Sequence, residues 1–125
     1  MLEGNDNDIT ESIIGCAIEV HKRLGPGLLE TVYEHALCIE LAENEIAFQR
    51  QLGVPLYYRG QLISEHRPDL VVAERVVVEV KCVERLLPIH KAQVITYLRV
   101  LNLHTGLLLN FKTEVMRQGI KRVRL

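Results

Sequence analysis

The sequence predicts a single α/β domain, a mixed β-sheet flanked by helices. Three observations carry this. Two amphipathic stretches with helical spacing open the chain, short β-branched runs follow, and a third helical stretch lies between those runs and two last strands. At 125 residues the chain suits one compact domain that can bury a core without disulfides or a structural metal. Hydrophobic residues at 48% and charged residues at 25% give the balance of a globular domain, not of a disordered chain.

Each element follows from local pattern. Residues 1–10 are acidic and polar, which excludes a signal peptide there and suggests a flexible lead-in to a domain spanning 11–125. Asp8 and Glu11 stand at capping-box spacing, so the first helix is expected to begin near Asp8. Ile13, Ile14, Ala17, Val20, His21 and Leu24 then repeat at the helical period until Gly25-Pro26-Gly27 stops them. A second helix is expected from Leu28 or Leu29 to about Ala47, with Leu29, Val32, Tyr33, Ala36 and Leu37 as its apolar stripe. Extended runs are predicted at 48–52 and 54–59, the latter with Pro55 suggesting an edge or a strand start and followed by a Gly60-Gln61 turn. Residues 62–72 and 76–83 read as strands joined by Ala73-Glu74-Arg75. Pro88 starts a third helix that runs to about Asn102. Residues 105–111 read as a buried strand and 120–124 as a last short one.

The run Val76-Val77-Val78-Glu79-Val80-Lys81-Cys82 is the most informative. Its β-branched density marks a strand buried on both faces, and alternation puts Val77, Glu79 and Lys81 on one of them. Charged groups inside such a strand must be paired with each other or bind something. A structural salt bridge is one answer. Asp69 suggests another. If Ala73-Glu74-Arg75 is a three-residue loop, Val72 pairs with Val76, and counting back sets Asp69 opposite Glu79. Carboxylates so close repel unless a cation or a proton lies between them. Mg²⁺ or Mn²⁺ suits such a pair, since Mg²⁺ is held by one or two carboxylates plus waters and substrate phosphate. An even loop would put Asp69 on the other face. Lys81, two residues on, is placed to orient a water or neutralise a phosphate. On the third helix, His90, Gln93 and Tyr97 share one side. There Gln93 can hold the water or a phosphate oxygen, and Tyr97 can brace it. Glu30, at the start of the second helix, is a further candidate carboxylate.

Other patterns exclude more than they suggest. Cys16, Cys38 and Cys82 are widely spaced among apolar residues and read as buried thiols. Without disulfides or a targeting signal, the expected location is cytoplasmic. No apolar run reaches the roughly 20 residues needed to cross a bilayer. No P-loop, GxGxxG or GxSxG motif is present, and His21, His35, His66 and His104 lack metal-ligand spacing. Charge is divided unevenly. Residues 1–60 hold ten acidic and four basic side chains, and residues 61–125 hold six acidic and eleven basic. The basic end from Arg117 to Arg124 is a surface that a phosphate backbone would favour, or simply a solvated face.

Gly27-Leu28-Leu29-Glu30-Thr31-Val32-Tyr33 resembles the signature of the GxxExxY family of small bacterial and archaeal proteins. Pro68-Asp69 with Glu79-Val80-Lys81 resembles the core of the PD-(D/E)xK nuclease superfamily, and Gln93 to Tyr97 the QxxxY element of one exonuclease-like branch. The resemblance runs from about Ile13 to Leu125. It implies a restriction-endonuclease-like fold, with Asp69, Glu79 and the Val80 carbonyl as metal ligands. It also implies Lys81 as the catalytic lysine, Gln93 and Tyr97 as support and Glu30 as the upstream acid. The expected activity is Mg²⁺- or Mn²⁺-dependent hydrolysis of phosphodiesters, in DNA, with a homodimer or partner protein plausible for so short a substrate track. A non-catalytic nucleic-acid-binding module and an oligomerising protein with a buried ionic network are the rivals.

Overall fold

A computed structural model describes residues 5–125. Residues 1–4, part of the expected lead-in, lie outside them. Helix α1 spans Asp6–Leu24. It starts two residues early because Asn5, not Asp8, is its cap: the Asn5 side chain accepts the Asp8 N–H at 3.0 Å. Residues 6–10 are therefore helical, with Ile9 and Thr10 buried. Helix α2 spans Glu30–Glu43 and stops short of the expected Ala47, because Glu45 takes a positive φ of 58° and turns the chain into β1 (Phe48–Arg50). Its buried face is also rotated from the expected stripe. Tyr33, Glu34, Leu37, Cys38 and Leu41 face inward, while Leu29 caps the helix and is 74% exposed.

Strands β2 (Val54–Tyr58) and β3 (Gln61–His66) form a separate two-stranded ribbon. The single strand expected over 62–72 is thus two, β3 and β4 (Leu70–Val72). Pro68 lies in the break, where its missing N–H cannot continue a ladder. Then come β5 (Val76–Lys81), α3 (Pro88–Leu101), β6 (Thr105–Asn110), a 3₁₀ turn at Met116–Gly119 and β7 (Ile120–Arg124). The main sheet has the order β1-β4-β5-β6-β7. Its β5 and β6 run parallel through the α3 crossover, and its other pairs are antiparallel. The predicted mixed sheet between helices is therefore what forms.

Burial fixes which face does what. Val76, Val78 and Val80 of β5 join Leu107 and Leu109 in a core shared with α1 and α2. Val77 and Leu108 join Val94, Tyr97 and Leu98 of α3, with Val54 of β2, in a second core on the opposite face. By alternation Glu79 and Lys81 continue the α3 face, at the C-terminal end of β5.

The uneven charge is used within the fold. Arg122 pairs with Glu11, Arg124 bonds the Asn7 side chain, and Arg75 meets Asp6 at 3.0 Å. Arg122 and Arg124, which looked free for phosphate, instead tie β7 to the acidic start of α1. Among the described residues no helix is long and apolar enough to cross a membrane.

Tyr33 fixes the turn that delivers Glu30. It is fully buried and stacks on Phe111 with ring centroids 4.6 Å apart. Its hydroxyl donates to the Gly25 carbonyl and accepts the Leu28 N–H at 3.2 Å. Gly27, at φ 104°, supplies the left-handed residue this turn requires. Tyr33→Phe is expected to lower stability by about 1–2 kcal/mol, from two backbone groups losing one partner. Urea denaturation checks this; an unchanged midpoint would show that the hydroxyl does not hold the turn.

Candidate active site

The turn between β4 and β5 decides the geometry. Ala73-Glu74-Arg75 is a three-residue loop, with Ala73 and Glu74 at positive φ and the Arg75 N–H bonding the Val72 carbonyl at 3.0 Å. Val72 therefore pairs with Val76, Val71 with Val77 and Leu70 with Val78. One step further, Asp69 comes opposite Glu79. The two residues interlock: the Asp69 N–H donates to Glu79 Oε2 at 2.6 Å, and the Val80 N–H donates to Asp69 Oδ2 at 2.8 Å.

Asp69 lies just beyond β4, and its carboxyl is close enough to Glu34 of α2 for the Glu34 charge to oppose its ionisation. Glu34 is 6% exposed and accepts from Arg50 at 2.9 and 3.2 Å and from Gln51 at 3.3 Å. Sequence reasoning missed this residue. The signal was present: Glu34, Leu37, Cys38 and Leu41 share one helical face, and a carboxylate on a buried face requires a partner.

Electrostatics mark both carboxyls. Burial raises Asp69 from an ordinary 3.8 to about 6, aided by the nearby charges of Glu34 and Glu30 and opposed by the Val80 bond. Burial likewise raises Glu79 from 4.5 to about 7. The Asp69 charge adds to this, while the Asp69 N–H and Lys81 oppose it. Lys81 is half-buried, two residues along the same face, and its charge reaches Glu79. Glu30 reaches the same strand from α2, its Oε2 accepting the Cys82 N–H at 3.1 Å. Tyr97 is 6% exposed, and its hydroxyl is held protonated by burial and by the charges of Glu79 and Asp69. Gln93, one turn earlier on α3, is exposed and makes no side-chain hydrogen bond among the described residues. His90 is turned to the helix start, where its Nδ1 accepts the Leu87 N–H.

The donors suit a hard divalent cation in chemistry, though not as a finished cage. Among the described residues no three His, Cys, Asp or Glu side chains are grouped to hold a metal. A buried Glu79 whose ionisation the half-buried Asp69 opposes is, however, what a cation relieves. The Val80 carbonyl fits the same set. A strand residue turns its N–H and C=O to the same side, and the Val80 N–H points at Asp69. Pro68, which the register sets opposite Val80, has no N–H to offer that carbonyl.

A family model described as the PD-(D/E)XK nuclease superfamily matches residues 7–123. No curated protein and no solved structure matches the chain.

The raised carboxyls make stability depend on pH. Between roughly pH 4 and 7 the folded chain holds protons that the unfolded chain releases, so stability falls as pH rises through this window. In chelator, each carboxyl should cost on the order of 2 kcal/mol by pH 8 relative to pH 4. Asp69→Asn and Glu79→Gln should each flatten that slope. Chemical denaturation across pH measures it, and a slope unchanged in both variants would contradict the burial argument.

Proposed function

Because the chain belongs to the PD-(D/E)XK nuclease superfamily, we propose that it is a metal-dependent nuclease hydrolysing phosphodiester bonds in DNA. The observation that carries this reading is the interlocked Asp69–Glu79 pair at the end of β5, with Lys81 beside it. Asp69, Glu79 and the Val80 carbonyl would hold Mg²⁺ or Mn²⁺, with Glu30 as an outer carboxylate for the cation or its waters. When bound, the cation supplies a lower pKa for the attacking water and charge neutralisation at the phosphoryl oxygens.

The chain's own residues supply the rest. The Lys81 ammonium orients the water and offsets the phosphate charge. The water gives up a proton to solvent as its oxygen bonds to phosphorus, the bond from phosphorus to the leaving alkoxide breaks, and that alkoxide takes up a proton from solvent. The protonated Tyr97 hydroxyl braces the polar side of the site, and Gln93, exposed one turn away, meets the incoming phosphate. The Val80 N–H holds the Asp69 carboxyl, and Glu34, clamped by Arg50 and Gln51, adds negative charge beside it.

A binding-only reading has one observation in its favour, the lack of a three-side-chain metal group among the described residues. One assay separates the two. Labelled single- and double-stranded DNA and RNA are incubated with Mg²⁺, Mn²⁺ or EDTA, alongside Lys81→Ala and Asp69→Asn. The nuclease reading expects metal-dependent cleavage that EDTA abolishes, with each variant slowed by at least about 100-fold. Binding without cleavage under every condition favours the second reading. Cleavage that survives EDTA or both substitutions would refute the proposed site.

A further inference from the structure

The β2–β3 ribbon is the most exposed apolar element of the fold, and nothing in the proposed chemistry uses it. Tyr57, Tyr58, Leu62 and Ile63 are 59–64% exposed. The ribbon's two faces differ. Residues two apart on β2 share a face, so Val54, Leu56 and Tyr58 lie together; their cross-strand partners are His66, Ser64 and, past a bulge that leaves Ile63 unpaired, Gln61. Val54 is buried in the core under α3, and the His66 ring lies 6.3 Å from that of Tyr97. This face therefore turns towards α3 and continues directly from the candidate site. It is polar and aromatic, whereas the opposite face presents Tyr57 against Leu62. Arg59 stands at the turn with φ 49°.

Area decides what the ribbon fits. The four exposed side chains, divided between the ribbon's two faces, together offer only on the order of 450 Å² of surface, given ~150–250 Å² for a whole aromatic side chain. A stable protein interface needs about 800 Å² from each partner. A strand of nucleic acid needs far less, because each base requires one aromatic platform and each phosphate one cation. Tyr58 stands four residues beyond Val54, about 13 Å along the strand. That span is about four nucleotides at ~3.4 Å per stacked base.

We infer that the Tyr58–Gln61–Ser64–His66 face of the ribbon is a track for a single nucleic-acid strand leading to Asp69, Glu79 and Lys81, with Tyr58 stacking on a base and Arg59 meeting a phosphate. The inference rests on the reading of that site as one for phosphodiesters.

Fluorescence anisotropy in EDTA, with a labelled single-stranded 12-nucleotide DNA, tests it without cleavage. Tyr58→Ala should weaken binding about tenfold, Tyr58→Phe should restore it, and Tyr57→Ala on the far face should leave it unchanged. Both positions are solvent-exposed, so folding is preserved. Wild-type binding by Tyr58→Ala, equal losses from both tyrosines, or no binding by the wild type would each overturn the track. So would a Tyr58→Ala effect seen only in self-association by sedimentation, which would mark the ribbon as a protein contact. The two readings fail separately. If the wild type cuts and Tyr58→Ala binds normally, the track falls and the site stands. If binding depends on Tyr58 and no metal supports cleavage, the track stands and the nuclease reading falls.

Discussion

The length of one loop governs the candidate site. Strand residues alternate in facing, so one residue more or less between Val72 and Val76 would move Asp69 out of register with Glu79. The three-residue loop holds Val72 to Val76, and the register runs from there to the Asp69–Glu79 interlock. Ala73 and Glu74 both take left-handed backbone to make the turn, a conformation unfavourable for side-chain-bearing residues. The turn thus accepts local strain to keep Asp69 opposite Glu79.

That pairing places charge where an apolar core would be easier to build. Glu79 extends a valine strand buried on both faces, and Asp69 closes against the start of α2. Among the described residues neither carboxyl has an ion pair of its own; Arg50 is committed to Glu34, and Lys81 offsets Glu79 without a close contact. A cluster arranged solely for stability would pair its carboxylates with cations or replace them with apolar residues. The cost instead points to function, in keeping with the superfamily to which the chain belongs.

Much of this was legible in the residues. The β5 run announced a buried strand by its valines, and the Asp69 register followed from counting along a three-residue loop. Helix α3 and strand β6 were marked by Pro88 and by Leu107-Leu108-Leu109. What failed did so for tertiary reasons. The face of α2 was misread because apolarity alone favoured Leu29 and Val32, whereas Arg50, distant in sequence, allowed Glu34 to be buried. The break at Pro68 was passed over because its neighbours looked extended, and the ribbon was lost with it. Charge alone leaves the basic C-terminus open between a phosphate surface and a solvated face, because Glu11 and Asn7, the partners of Arg122 and Arg124, lie more than a hundred residues earlier.

The central claim is that the β4–β5 register builds a cation site from two raised carboxyls. Calorimetric titration with Mn²⁺ near pH 6, in two buffers of different ionisation enthalpy, tests it most directly. The account predicts saturable binding with proton release, abolished by Asp69→Asn and by Glu79→Gln. Binding of undiminished affinity in both variants, or no binding by the wild-type chain, would contradict it.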